Sequence, residues 1–487
     1  MGLGPGVSPG NPGGAFDVPS GDPRAQDGAV TRRSLLGRLA RRLPPGELIF
    51  TPEVLAAHAG DKWFASHPPE AVALPKTVES VSRILSFASK HGIPVTPRGA
   101  GHGYVGGCVP VQGGIALSVA GMNRIVEIDA DDFVSVVQPG VLTATLQETV
   151  ERQGLYYPPD PASRADCSIG GNIATNAGGP RCLKYGVTRD YVLGLQVVLA
   201  DGTVTRLGGR THKNKTGFDL HRLFVGSEGM LGVVTEATLK LLPLPAYRAC
   251  IGVGFADMKT AARAIRALFA ARFLPSALEL ADGFTVDAAR RRTGSRLLRG
   301  AGALMIVELD GRERGVRSEI AELARLLAKF RPTFVQRGLG PEGCERFWKL
   351  RREFSYSLRD TGLTKLNEDV VVPRGSLEAL FRLGADLQRK HGIRVACFGH
   401  AGDGNIHVNL MLDESVPAQR AASDRALDEL FQGIVALGGS ITGEHGVGLA
   451  KRPWWDIAVT RESDALHRRV KGALDPAGIL NPGKFLG

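Results

Sequence analysis

PPDPASRADCSIGGNIATNAGG, at residues 158–179, combines a proline-fixed entry with four glycines and two asparagines. Glycines leave room for backbone N–H groups to approach an anion closely, so this composition is typical of a phosphate-binding loop. An ordinary turn is the alternative interpretation for any single loop of this kind. The phosphate-binding interpretation is favoured because a similar loop precedes this one in the chain.

That first loop, PRGAGHGYVGGCVP at residues 97–110, follows a short β-like run. Its Gly101-x-Gly103-x-x-Gly106 spacing matches the dinucleotide fingerprint, but that fingerprint needs a helix to begin inside the glycines. Here the chain leads instead into another strand, IALSVAG at 115–121. The pattern argues against a nicotinamide site. Two such loops in one domain predict a long, bent anion as the ligand.

The net charge of the chain agrees with an anionic ligand. A chain of 487 residues is long enough for two or three lobes. The net charge of +11 would suit nucleic acid, an anionic surface or anionic small molecules. Because the basic residues are dispersed and aromatic residues make up only 6% of the chain, we expect no nucleic-acid partner.

The cysteines never form a C-x-x-C pair, which argues against zinc ribbons and iron–sulfur clusters and is consistent with a reducing compartment. Any electrons taken up must therefore leave to another molecule. The longest apolar stretches, such as residues 191–200, are too short to span a bilayer, so we expect no transmembrane segment. We expect a cytoplasmic protein, or one held peripherally at the inner membrane through a partner.

Composition divides the chain into four parts. Residues 1–30 are rich in Gly, Pro, Asp and Ser and are predicted to be a disordered tail. Residues 31–66 form a helical lead-in. Their TRRSLLGRLARRL segment resembles a twin-arginine signal, but three arginines interrupt the required apolar region, which favours an amphipathic helix. Residues 67–245 and 246–487 are predicted to be two domains.

Both domains alternate β-like and helical patterns. In the first, we predict a helix over TVESVSRILSFASKHG, at 77–92. In the second, we predict helices over 258–273, 319–330 and 418–437, and a sheet covered by helices on one face.

Two further motifs point to a metal. HAGDGNIH places His400 and His407 on either side of a Gly/Asp/Asn turn, so a hairpin would return both imidazoles to one side. SITGEHGVG supplies the adjacent Glu444 and His445. Two His and one Glu suit a catalytic divalent metal with open positions. A core histidine and a helix-terminal charge are the alternatives for these residues taken singly.

PRGAG, SIGGNIATNAGG, KYGVTRD, LADG, FVGSEGMLGVVTEATLKLLP, HAGDGNIH, GEHGVG and LNPGK, in this order, resemble the FAD-linked 2-hydroxy-acid oxidase family. That family includes the FAD subunit of glycolate oxidase, D-lactate dehydrogenases and D-2-hydroxyglutarate dehydrogenases. The resemblance implies an α+β protein. A vanillyl-alcohol-oxidase-type FAD-binding domain of two α/β subdomains would precede an α+β substrate-capping domain with an antiparallel sheet.

The resemblance also implies where FAD binds. The residues predicted to contact it are Arg98, Gly99, Ala100, Gly101, His102, Gly103, Pro159, Asp160, Ser163, Ser168, Gly170, Gly171, Asn172, Ala174, Asn176, Gly178, Gly232 and Val234. Some distant relatives of this flavin fold carry a histidine bonded covalently to the flavin at the position of His102. Closer relatives in the hydroxy-acid group usually bind FAD without that bond.

By the same resemblance, His400, His407 and Glu444 match the ligands of a divalent metal, Zn or Mn, and His445 matches the proton-transfer residue. Asn409 would contact the substrate. Within FWKLRREFSYSLRDTGLTKLNEDVVVPR, at 347–374, the positions that grip the substrate carboxylate are matched by Arg351 and Lys365. Arg352 is an equal candidate by chemistry, and Asp369 is expected to orient one of these cations.

The resemblance implies oxidation of a small 2-hydroxy acid, such as D-lactate or glycolate, to the 2-oxo acid. Electrons would pass from FAD to a quinone, cytochrome, electron-transfer flavoprotein or iron–sulfur subunit. Two alternatives stay open: a metal-independent alcohol or sugar oxidase of the same fold, and an FAD electron-relay subunit of a larger complex.

Overall fold

The computed structural model describes residues 31–295 and 298–486. The tail predicted over residues 1–30 lies outside this range. The described chain contains three main sheets, two in the first half and one in the second. None of its helices is both long and apolar enough to cross a membrane.

The first subdomain contains a four-stranded sheet of order β1-β2-β4-β3 in which β2, β4 and β3 run parallel. Helix α1 confirms the amphipathic interpretation of the lead-in, because Leu36 and Leu39 are buried. The elements are α1 (Arg32–Ala40), β1 (Leu48–Ile49), α2 (Pro52–Ala57), β2 (Ala71–Ala73), α3 (Val78–His91), β3 (Val95–Arg98) and β4 (Ile115–Ser118). Helix α3 lies where the sequence predicts it.

The second subdomain is built on a five-stranded antiparallel sheet of order β5-β6-β10-β8-β9 and a two-stranded one of β11 and β7. Its elements are β5 (Ile125–Asp129), β6 (Val134–Val137), α4 (Thr143–Glu151), β7 (Leu155–Tyr156), α5 (Ile169–Thr175), α6 (Cys182–Tyr185), β8 (Val192–Val198), β9 (Val204–Gly208), α7 (His221–Phe224), β10 (Val233–Lys240) and β11 (Leu242–Pro243). In β10, buried and half-buried residues alternate, as the period of a strand requires.

The second half forms a seven-stranded antiparallel sheet of order β15-β12-β14-β13-β17-β18-β16. The strands are β12 (Tyr247–Phe255), β13 (Ala277–Asp282), β14 (Ala303–Gly311), β15 (Phe334–Leu339), β16 (Thr364–Val371), β17 (Arg394–His400) and β18 (Asn405–Leu412). The helices are α8 (Met258–Ala270), α9 (Gly283–Thr293), α10 (Glu313–Ala328), α11 (Gly340–Arg359), α12 (Leu377–His391), α13 (Pro417–Ala436), α14 (Trp455–Ala458) and α15 (Arg461–Leu474).

Two expectations for this sheet are wrong. Helices cover both of its faces: α8, α10, α12 and α13 pack on one side, and α9 and α11 pack on the other. In addition, α10 begins six residues before the predicted start at 319. Its first turns, ERGVRSE, contain a single buried apolar residue, Val316, so the sequence shows no helical period there.

The last segment of the chain returns to the first half. Val470 and Leu474 of α15 pack against the core of the second subdomain, and Leu480 is buried in the first. The N–H of Val95 donates to the carbonyl of Ile479 at 2.8 Å. The two halves are therefore joined by more than the single crossing near residue 245.

Candidate active site

A cavity of about 1550 Å³ lies between the two glycine-rich loops and the seven-stranded sheet. All but two of the residues predicted to contact FAD line it. The exceptions are Pro159, whose carbonyl accepts from Gln147, and Asn176, whose Oδ1 accepts the N–H of Arg189. The cavity therefore joins two loops that 47 residues, 111–157, separate in the sequence.

The two loops meet at Ser168. Its Oγ accepts the N–H of Ala100 at 3.2 Å and that of Gly171 at 3.3 Å. A Cβ added at Gly99 would lie 2.6 Å from the same oxygen. Glycine is thus required for the loops to pack, and the result is a cradle of backbone that fits an extended phosphate-containing cofactor.

Two charged residues predicted to contact FAD are already engaged by the protein. The Arg98 guanidinium donates to the carbonyl of Gly60 at 2.6 Å and to Sγ of Cys108 at 3.1 Å. Asp160 forms a half-buried ion pair with Arg181. Both side chains line the cavity, but each also fixes its wall in place.

The predicted metal ligands converge. Strands β17 and β18 form the expected hairpin, and the ligand atoms of His400, His407 and Glu444 lie within 4.8 Å of one another. Nε2 of His400 is 3.3 Å from Oε1 of Glu444. Nδ1 of His407 is buried without a hydrogen-bond partner in the described chain. Two imidazoles and a carboxylate around one point fit a divalent ion such as Zn or Mn.

A second cluster, of Cys250, Glu308 and Cys344, has similar spacing but does not fit a metal. The Glu308 carboxylate accepts from Arg181 at 2.9 Å and from the Trp348 indole at 2.6 Å. Burial raises the pKa of the Cys250 thiol well above its usual range. The carboxylate is therefore already used, and a protonated thiol is a poor ligand.

The loop that carries Glu444 and His445 is held by two buried carboxylates. One oxygen of Asp369 accepts the N–H groups of Gly443, Glu444 and His445 at 2.7–3.0 Å. The Glu228 carboxylate accepts the N–H groups of Val447 and Gly448 at 2.7 and 2.9 Å. Asp369 thus positions this loop, and the expectation that it orients Arg351, Arg352 or Lys365 is wrong.

The His445 imidazole lies in the cavity wall, packed at a tilt of 35° against Tyr104 with ring centroids 5.1 Å apart. Its Nδ1 is 3.8 Å from Oδ2 of Asp369. Burial lowers the pKa of His445 below its usual value. The ring is therefore neutral at physiological pH and can accept a proton.

Arg351 and Lys365, predicted to grip a carboxylate, both line the cavity. Nζ of Lys365 donates to Oγ of Ser355 at 2.8 Å, and burial lowers the pKa of Lys365 to about 8. Arg351 is ion-paired with the buried Glu279. Arg352 also reaches the cavity, but its side chain is 56% exposed and paired with Glu345.

Asn409 is not part of the cavity wall. The residue is fully buried, and its Nδ2 donates to the carbonyls of Ala396 and His407, each at 3.1 Å. The side chain therefore supports the β17–β18 hairpin.

Two protein-family models match this chain, one in each half. Residues 69–208 match the FAD binding domain, and residues 244–485 match the C-terminal domain of FAD linked oxidases. The chain belongs to the FAD-linked oxidase family. It is 39% identical over 417 residues to glycolate oxidase subunit GlcD of Bacillus subtilis, covering 86% of this chain and 89% of that one.

Other similar proteins agree with this family. A D-lactate dehydrogenase of Archaeoglobus fulgidus is 34% identical over 457 residues, covering 93% of this chain and 98% of that one. Among solved structures, p-cresol methylhydroxylase with substrate bound has a TM-score of 0.77 at 19% identity, covering 93% of this chain and 96% of that one. This likeness confirms the vanillyl-alcohol-oxidase-type fold, and the family match confirms FAD as the cofactor.

Sequence reasoning missed three carboxylates that shape the site of this FAD-linked oxidase: Glu228, Glu279 and, in its actual role, Asp369. Glu279 left a signal, because it is a lone charge in the otherwise apolar run ALEL of β13. Burying an unpaired charge is costly, so such a residue implies a partner elsewhere in the chain. The sequence does not say which partner.

The first prediction concerns His102. Its imidazole lines the cavity, with Nε2 3.8 Å from Oδ2 of Asp166, and burial lowers the pKa of His102. We expect FAD to be held without a covalent bond. Acid precipitation of the purified protein should leave all yellow colour in the supernatant. Colour retained in the pellet of the wild type, and lost in H102A, would instead show a covalent bond.

Proposed function

We propose that this FAD-linked oxidase converts a small 2-hydroxy acid, such as D-lactate or glycolate, to the 2-oxo acid. One observation carries the proposal: a single cavity holds the flavin loops, the His400–His407–Glu444 cluster, a neutral histidine and two cations. Curated relatives named glycolate oxidase subunit and D-lactate dehydrogenase support the same substrate class.

When bound, FAD supplies a hydride acceptor, and a divalent ion supplies a Lewis acid that lowers the pKa of an alcohol. The side chains of this chain orient the substrate and move its proton. Arg351 and Lys365 hold the carboxylate of the substrate and so orient C2. His445 takes the hydroxyl proton at Nε2, because its Nδ1 faces the Asp369 carboxylate. Asp369 also favours the imidazolium that results.

We propose that the electrons then leave to a separate acceptor: a quinone, a cytochrome, an electron-transfer flavoprotein or an iron–sulfur subunit. The chain contains no C-x-x-C pair, and the Cys250–Glu308–Cys344 cluster does not fit a metal. Neither feature offers a second redox centre, so the proposal places the acceptor outside this chain.

An anaerobic substrate screen tests the proposal directly. We expect D-lactate or glycolate to bleach the flavin absorbance of the purified protein, with D-2-hydroxy acids preferred over their L-enantiomers. The panel should include primary alcohols and aldoses as controls. Bleaching by these and not by 2-hydroxy acids would favour the metal-independent oxidase. No bleaching by any of them, in FAD-loaded protein, would favour the electron-relay subunit.

A second prediction concerns the metal ligands. Replacing His400, His407 or Glu444 by Ala should abolish substrate-driven flavin reduction and leave FAD bound, because the flavin loops belong to the other half of the chain. Chelation followed by gel filtration should have the same effect, and Zn²⁺ or Mn²⁺ should restore activity. Flavin bleaching, bound FAD and metal content by elemental analysis are the measurements.

H445A serves as the matched control for the metal-ligand variants. It should retain metal and FAD and yet slow flavin reduction by about 10²–10⁴-fold, the usual contribution of a general base. Wild-type protein that stays fully active with no detectable metal would contradict the metal site and leave His445 to act alone.

A third prediction uses the lowered pKa of Lys365, about 8. Below that pH the side chain is a cation that attracts the substrate carboxylate, and above it the charge is lost. The KM for the 2-hydroxy acid should therefore rise as the pH increases through about 8. In K365R the guanidinium stays protonated, so this rise should disappear. A wild-type KM that is constant from pH 7 to 9.5 would argue against this role.

A further inference from the structure

Glu279 is an acidic residue in the middle of an apolar strand. It lies on β13 between Leu278 and Leu280, both of which belong to the core, and its side chain is only 1% exposed. A carboxylate at such a depth is costly unless each oxygen has a charged or hydrogen-bonding partner. The partners of Glu279 are residues of the active site.

One carboxylate oxygen faces a proposed metal ligand. Oε1 of Glu279 is 2.5 Å from Nδ1 of His400. Because a carboxylate only accepts, Nδ1 must carry the ring proton. The other nitrogen, Nε2, lies 3.3 Å from Oε1 of Glu444 and is the atom that would ligate a metal ion in place of its proton. A carboxylate on the far side of a ligating imidazole fixes its tautomer and orientation in many metal sites.

The other oxygen holds a proposed substrate ligand. Oε2 of Glu279 accepts from Nε of Arg351. The guanidinium also packs over the Phe398 ring, with Cζ 4.9 Å from the centroid. The position of the Arg351 head group is thus fixed from two directions. Within the described part of the chain, the two Nη groups of Arg351 make no hydrogen bond. They are therefore available for an anion in the cavity.

We infer that Glu279 is a positioning residue that sets two binding groups at once: the metal-facing nitrogen Nε2 of His400 and the carboxylate-binding fork of Arg351. The inference rests on the proposed function and deepens it. A single carboxylate between the two groups places the metal and the anionic end of the substrate at a defined separation. Loss of Glu279 should therefore weaken both metal binding and substrate binding.

E279Q against D282N is the decisive comparison. Glutamine keeps the volume of Glu279 but offers one acceptor, so it cannot serve both His400 and Arg351. Asp282 is a matched control on the same strand. Its half-buried carboxylate accepts the N–H groups of Thr285 at 2.8 Å and Cys397 at 2.6 Å and makes no contact with either binding group.

Zn²⁺ affinity of the FAD-loaded protein, measured by competition with a chromophoric chelator, requires no turnover. We expect E279Q to lose about 10–100-fold in affinity, the usual effect of removing such a supporting group. At saturating Zn²⁺, its KM for the 2-hydroxy acid should rise more than its kcat falls. D282N should unfold at a lower temperature but keep the wild-type Zn²⁺ affinity and KM. E279D, whose carboxylate is withdrawn by one methylene, should show the same pattern, and it replaces E279Q if that variant does not fold.

The outcomes are distinguishable. Wild-type Zn²⁺ affinity and KM in E279Q would overturn the inference, as would equal losses in E279Q and D282N, since these would show a merely structural role. Wild-type protein that binds no Zn²⁺ under the same conditions would overturn the proposed metal site, and the metal half of the inference with it. An unchanged KM in E279Q would then overturn the other half.

Discussion

The active site depends on a set of hydrogen bonds from one short loop to two buried carboxylates. Asp369, on the edge strand β16, accepts the N–H groups of residues 443–445, and Glu228, from the flavin-binding half, accepts those of 447 and 448. Each carboxylate would be costly to bury alone, and several backbone donors offset that cost. Both halves of the chain thus fix the loop that carries Glu444 and His445.

Glu228 also joins this loop to the flavin loops. Its N–H donates to the carbonyl of Ala174, in the second glycine-rich loop, at 2.8 Å, and its backbone has a φ of 49°. Residues other than glycine rarely adopt this left-handed conformation, which persists only where the surrounding contacts enforce it. The Arg181–Glu308 ion pair and the returning C-terminal segment connect the same halves. Domain docking therefore completes the site.

Features that depend on neighbouring residues were predicted correctly from the sequence, whereas features that depend on packing between distant segments were not. Helices α3, α8 and α13 were predictable because their apolar residues recur at helical spacing and their ends carry clear caps or breakers. The β17–β18 hairpin was predictable from the Gly/Asp/Asn turn between His400 and His407. The early start of α10 and the burial of α9 and α11 on the second sheet face depend on packing, which periodicity does not report.

The sequence by itself determined the two glycine loops and the hairpin of His400 and His407, because short motifs specify local backbone geometry, and the family resemblance added Glu444 to them. Only the tertiary structure decided which groups hold those residues in place. Glu228 binds Val447 across 219 positions, and Glu279 binds His400 across 121. Asp369 accepts from the backbone of the loop and does not contact Arg351 or Lys365, and Asn409 supports the hairpin and does not line the cavity. A buried polar group must find a partner, but the fold alone determines which partner comes within reach.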